Sequence, residues 1–247
     1  MSNQNTTGSA TNVPDAAVEQ ALSLAESVKL DVSVYPIAEP QGSTLAFASV
    51  KIDDLAVIRG IRIVAGENGL FMSMPQSKGN DGKYHDTAFP SMKGLHKQVR
   101  RAVLEEYKSP GASKERNADL VPQEREAANV KLDVQVYPIS EPMSSTLAFA
   151  SVSIDDKVVI RGVRVVAGED GRFVSMPQTK GNDGKYHSVA FPALHGLRKE
   201  LNKAVLNEYR DKVKSLVAEL QEGKARAAEH IPTQKTPAMA RSAAAIA

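Results

Sequence analysis

The 247-residue chain has no cysteine, no tryptophan and only 5 histidines. Without cysteine there is no disulfide, no thiolate-bound zinc and no thiol nucleophile. The histidines are scattered with no H-x-x-x-H or similar spacing, so no metal site is expected. No apolar run approaches the roughly 18 residues of a spanning helix, and no membrane association is expected. A surplus of one charge is also missing. There are 31 Lys+Arg against 29 Asp+Glu, a net +2, so nucleic-acid binding would have to come from a local patch. The first residues, MSNQNTTGSATN, carry neither a basic residue nor an apolar core. They do not read as a secretory signal, and the cytoplasm is the expected compartment. What remains, 42% hydrophobic and 24% charged, is the composition of an ordinary soluble globular protein.

An internal repeat sets the organisation. KLDVSVYPIAEP begins at Lys29 and KLDVQVYPISEP at Lys131, 102 residues later. The match runs without a gap from Lys29–Tyr107 to Lys131–Tyr209, with 55 of 79 positions identical. That period is too long for a solenoid unit, so the chain carries a duplicated domain. The expected organisation has five parts. Residues 1–28 are a disordered segment and a short helix, with Val18, Ala21, Leu22 and Ala25 on one face. Residues 29–107 are the first domain and 108–130 a charged linker. Residues 131–209 are the second domain. Residues 210–247 are a helical extension, with Val213, Leu216, Val217 and Leu220 as an apolar stripe, followed by a flexible tail.

Within each copy strands precede a helix. Leu30–Pro36 and Thr44–Ile52 alternate apolar and polar residues. Asp53-Asp54 and Glu67-Asn68-Gly69 mark turns around a third strand, Leu55–Val64. Leu70–Met74 is a fourth strand and Tyr84–Phe89 a fifth, with Pro90 closing the sheet. Gly94–Tyr107 has helical spacing. The predicted class is α+β: two tandem domains, each an antiparallel β-meander of four or five strands plus one C-terminal helix, packed as an intrachain pseudo-dimer. Pairing is expected because each copy is marginal in size: a domain of about 80 residues buries only about 60% of its unfolded surface. The third strand also shows apolar residues on both sides, Val57, Ile61 and Ile63 against Ile58 and Val64. The helix covers only one side of the sheet.

VIRGIRIVAGENGLFMSMPQSKGNDGKYHDTAFP, followed by a helix ending AVLEEY, resembles the SpoVG family, the stage V sporulation protein G or septation regulator of bacteria. The motifs are Ile61-Arg62-Ile63, Gly66–Phe71, Met74-Pro75, Asp81-Gly82, Ala88-Phe89-Pro90 and Val103–Tyr107. All recur in the second copy, from Val163-Arg164-Val165 to Val205–Tyr209. The resemblance implies small, homodimeric, cytoplasmic DNA- and RNA-binding proteins with no known enzymatic activity, regulators of division, sporulation or virulence genes. It also implies nucleic-acid contact by basic residues at the helix start. The arginine usual there matches His96 in the first copy and Arg198 in the second. A tandem with added termini departs from the usual single domain.

The residues themselves give candidate sites. Lys93, Lys97, Arg100 and Arg101 form a basic ridge with no acid between Ser91 and Leu104. Its counterpart holds Arg198, Lys199 and Lys203 with one acid, Glu200. Clustered exposed cations are what phosphates require. Lys78 and Lys83, with Lys180 and Lys185, flank a Gly-Asn-Asp-Gly turn that is not a P-loop. Arg59 and Arg62, with Arg161 and Arg164, stand on opposite faces of a strand, and ion pairs with Asp53, Asp54 or Glu67 are expected. Phe71, Phe89 and their copies are expected in the core, since a small domain without tryptophan needs its rings inside. His85 and His187 have no nucleophile beside them, and no enzyme and no cofactor are expected. The leading reading is a nucleic-acid-binding regulator with DNA and/or RNA as partner, modest sequence preference and further homo-oligomerisation possible. The alternative is a protein-interaction or assembly module.

Overall fold

The computed structural model describes residues 28–79, 81–112, 129–142, 144–181 and 183–229. The lead-in helix and most of the charged linker expected from the sequence lie outside these residues, as does the C-terminal tail. Two compact units make up the chain, divided between Tyr209 and Arg210. The first holds both copies.

Copy one runs β1 (Leu30–Pro36), β2 (Thr44–Ile52), β3 (Ala56–Gly66), β4 (Gly69–Ser73), β5 (Gln76–Lys78), β6 (Tyr84–Asp86), β7 (Ala88–Pro90) and α1 (Lys93–Lys108). Copy two repeats it as β8 (Leu132–Pro138), β9 (Thr146–Ile154), β10 (Val158–Gly168), β11 (Gly171–Ser175), β12 (Gln178–Lys180), β13 (Tyr186–Ser188), β14 (Ala190–Pro192) and α2 (His195–Glu229). The class is α+β with tandem domains. Each copy has an antiparallel meander and a C-terminal helix.

The strand alternation places Ala46, Ala48, Val50 and Ile52 of β2 inside, with Leu30 and Val32 of β1 beside them. Leu95, Val99, Ala102 and Val103 of α1 are buried as well. In β3 the expected two-sided pattern holds for Val64, buried opposite the outward Phe71, but not for Ile58. Ile58, Ile61 and Ile63 are all fully buried. The reason is a bulge. Ala48 pairs with Ile61 and Val50 with Ile58, so Arg59 and Gly60 together face the single residue Ser49. The extra residue reverses the alternation, and Gly60 at φ +73° supplies a backbone that other residues adopt at a cost. Gly162 does the same at φ +70°.

Tyr84–Phe89 is not one strand of its own sheet. It splits at Thr87, whose N–H donates to the Pro75 carbonyl at 2.8 Å. Tyr84–Asp86 pairs with Gln76–Lys78 as a separate hairpin. Ala88–Pro90 instead joins the other copy, pairing with Val158–Ile160, while Ala190–Pro192 pairs with Ala56–Ile58. Each long strand therefore gives one stretch to its own β4 or β11 and another to a strand of the opposite copy. Further backbone bonds follow the same exchange: Arg59 N–H donates to Val189 O and Arg161 N–H to Thr87 O, both at 2.7 Å. The guanidiniums cap the exchanged strands. Arg59 lies 4.8 Å over the Phe191 ring and Arg161 lies 4.8 Å over Phe89.

These contacts replace the ion pairs expected for the strand arginines. Arg62 Nη2 donates to Ser73 Oγ at 3.1 Å, and Arg164 Nη2 to Ser175 Oγ at 3.2 Å. The aspartates have lysines: Lys29 and Lys51 on Asp54, and Lys157 on Asp53.

Candidate nucleic-acid interface

α1 has a poor local start. Met92 precedes it with no side-chain cap, and the first turn holds no acid. Lys93 stands at the positive end of the helix dipole, where a cation is unfavourable by some tenths of a kcal/mol. The helix is held instead by its buried residues. The N-terminal cations are therefore not there for helix stability. The first turn of α2 likewise has no acid.

Lys93, Lys97, Arg100 and Arg101 are exposed and His96 is half-buried. Among the described residues no carboxylate is bridged to Lys93, Lys97 or Arg100. Arg101 is different, because its Nε donates to Glu105 Oε1 at 2.7 Å. The ridge thus presents three open cations and one partly neutralised. In α2, Lys199 and Lys203 are exposed, Arg198 is half-buried, and Glu200 is exposed among them.

The hairpin lysines stand on a different element. Lys78 and Lys180 end the strands β5 and β12; Lys83 and Lys185 lie in the turns, and all four are exposed. Asp81 organises the turn. It accepts the Lys83 N–H at 3.0 Å and a hydrogen bond from His85 Nε2 at 2.9 Å. The His85 contact is the main reason its carboxyl titrates below the ordinary range, with the Lys83 N–H second. Asp183 and His187 repeat the arrangement. The repeated histidine is thus a strut of the loop. A Cβ at Gly79 would lie 2.7 Å from Asp81 Oδ1, so a side chain there would displace the Asp81–His85 pair.

The rings depart from expectation. Phe71 and Phe173 are 44% and 50% exposed. Their positions on the outward side of β4 and β11, opposite Val64 and Val166, keep them from the core. The Phe71 ring lies over Gly66, where a Cβ would come within 3.0 Å of it. Phe71, Arg100 and the β3–β4 turn line an open cleft of about 390 Å³. In copy two Arg172 stands where copy one has Leu70, and Asn202 where it has Arg100. Arg172 lies 5.4 Å over the Tyr209 ring, and Asn202 Oδ1 is buried with no hydrogen-bond partner among the described residues. Sequence reasoning also passed over Tyr35 and Phe47, which are exposed. The signal was available: each occupies the outward phase of an amphipathic strand.

The SpoVG family model matches residues 28–109 and again 130–211. The chain belongs to the SpoVG family. The chain is 39% identical over 71 residues to a septation protein SpoVG of Agathobacter rectalis, covering 29% of this chain and 82% of the relative. It is 40% identical over 77 residues to one of Lachnospira eligens, covering 31% and 86%. For one of Myxococcus xanthus the identity is 36% over 77 residues, covering 31% and 76%. These SpoVG relatives are named for septation and not for a catalytic activity. No helix among the described residues is long and apolar enough to cross a membrane.

Proposed function

We propose that this SpoVG-family chain is a nucleic-acid-binding regulatory protein that contacts the phosphate backbone of DNA and/or RNA, chiefly through α1 and secondarily through the first turns of α2. One observation carries the reading. Lys93, Lys97 and Arg100 are exposed along the first half of α1 with no bridged carboxylate among the described residues, and Lys93 holds its place against the helix dipole. Phosphate oxygens are the ligands that such a ridge suits. Arg198 replaces His96 in the second copy, and a guanidinium stays charged and can fork onto a phosphate where a neutral imidazole cannot. The hairpin lysines would add outlying contacts.

The test is a salt titration of binding with wild type and with Lys97→Glu/Arg100→Glu/Arg101→Glu. If about half of the seven basic helix residues reach phosphates, log K should fall with log salt at a slope of roughly −3, and the triple variant should flatten it by about one to two. A variant that binds like wild type with an unchanged slope overturns the reading. Assembly is the second reading, favoured by Leu216, Val217 and Leu220, exposed along one side of the second unit's helix. Loss of a sedimenting oligomer on Leu216→Gln/Leu220→Gln, with nucleic-acid binding absent from the wild type, would put it first.

A further inference from the structure

The outward face of each sheet carries a row that the helix reading does not use. Tyr35 pairs directly with Phe47, Phe47 with Arg62, and Arg62 with Ser73. Directly opposed residues share a face with Cβ atoms about 5 Å apart, so the four side chains form one line across β1, β2, β3 and β4. The line spans roughly 14 Å at about 4.8 Å per strand. Tyr35 is 60% and Phe47 44% exposed. The second copy repeats the row as Tyr137, Phe149, Arg164 and Ser175, with the rings 58% and 46% exposed.

Two features set the chemistry of this surface. The first is its charge. Each row holds a guanidinium and no carboxylate. Among the described residues Arg62 and Arg164 donate to a neutral serine hydroxyl and to no carboxylate, which steadies the group without neutralising it. The second is the rings. Burial of Phe47 or Tyr35 would stabilise the fold, yet both are turned outward, twice, at matching positions. Flat apolar rings beside a fixed cation, spread over a four-strand surface, suit unpaired bases that stack and a phosphate between them. A duplex keeps its base faces covered and offers such rings nothing to stack on. Phe71, on the same side of β4 two residues before Ser73, extends the aromatic surface to the cleft it shares with Arg100.

We infer that the outward sheet faces are stacking platforms for single-stranded nucleic acid, Tyr35 and Phe47 with Tyr137 and Phe149 taking bases and Arg62 and Arg164 taking phosphate. This rests on the nucleic-acid reading above and names its ligand as the single strand. The test uses the full chain with two probes, a short oligothymidylate and a mixed-sequence duplex of equal length. Phe47→Ala/Phe149→Ala should weaken oligothymidylate binding at least about tenfold and leave duplex binding within about twofold. Lys97→Glu/Arg100→Glu/Arg101→Glu should weaken both. A readout independent of affinity is available because the chain has no tryptophan and 6 tyrosines. Oligothymidylate should quench part of the tyrosine emission, the duplex should not, and Tyr35→Leu/Tyr137→Leu should abolish the quenching while circular dichroism stays unchanged. Equal losses on both probes, or no loss on the single strand, overturn the platform and leave the helix reading standing. Wild type that binds neither probe overturns both. Face variants that instead shift the sedimentation of the free protein make the rows a self-association surface and also overturn the platform.

Discussion

Lys157 of the second copy reaches Asp53 of the first, Nζ to Oδ2 at 2.6 Å, and holds Asp155 of its own copy at 3.0 Å. The Lys157 side chain is 16% exposed and that of Asp53 11%. The equivalent position in copy one is Leu55, which is 1% exposed. One cation thus serves two carboxylates where the copies meet, and the repeat's symmetry is broken there. Taking away one member of such a buried group costs more than the pair gains, because the remaining like charges sit close together. Lys157→Leu should destabilise the first unit by roughly 2 kcal/mol, read as a lower urea midpoint with an unchanged slope. Adding Asp53→Asn should restore part of the loss. Equal midpoints for wild type and Lys157→Leu would count against this role.

The exchanged strands lead to a second expectation. In an isolated copy Ala190–Pro192 would lack the strand it pairs with in the chain, Ala56–Ile58. Another copy would supply an equivalent. Residues 129–222 should therefore dimerise, with Lys157 facing the Asp155 of its mate. Residues 28–109 should dimerise more weakly, since two Asp53 carboxylates would meet with leucine in place of lysine. In the full chain the tether raises the effective concentration to the order of millimolar, so it should sediment at one chain mass where the fragments still exchange. Monomeric fragments at high concentration would contradict the expectation.

The duplication, the first four strands of each copy and the helix that closes it are legible because the 102-residue offset is ungapped and the period-2 and period-3.6 patterns are clean. The phase of β3 is not, because a bulge at Arg59-Gly60 inserts one residue without leaving an apolar signature of its own. The strand exchange was hidden for a different reason. Nothing in Ala88-Phe89-Pro90 says which of two near-identical sheets it joins. Arg59 was misread for the same cause, since its partner, Phe191, lies in the other copy. The basic ridge could be read from spacing alone, but the Arg101–Glu105 pair depends on a rotamer.

The bulge can be tested at its glycine. Gly60 at φ +73° has only Pro75 near a would-be Cβ, at 3.9 Å. Space is therefore adequate and the cost is conformational. Gly60→Ala should destabilise by about 1 kcal/mol, and Gly60→Val by more because branching at Cβ resists positive φ. Gly162→Ala should match Gly60→Ala, since its φ is +70°. A thermal melt of the three variants decides it. A Gly60→Val melt equal to wild type would mean that the strand can slip to a regular register.

Acid should weaken the fold through Asp54. Asp54 titrates below the ordinary carboxylate range, chiefly because Lys51 bonds to it, with Lys29 assisting and desolvation opposing. Lys51 Nζ lies 2.6 Å from Asp54 Oδ1 and 3.0 Å from Asp31 Oδ2, and its own ammonium is correspondingly raised. A carboxylate whose folded pKa is depressed adds stability that is complete above its unfolded pKa, near 3.8. That stability is lost as pH falls through the lower, folded value. In copy two Lys51 is replaced by Ser153, leaving Lys131 on Asp156 at 2.7 Å. Stability measured by urea unfolding from pH 6 to pH 2 should therefore fall less steeply below about pH 4 in Asp54→Asn than in wild type. Lys51→Met should mimic Asp54→Asn, because it removes the main cause of the depression. An acid limb identical in wild type and Asp54→Asn would show that the Lys51 network contributes nothing to folding in acid.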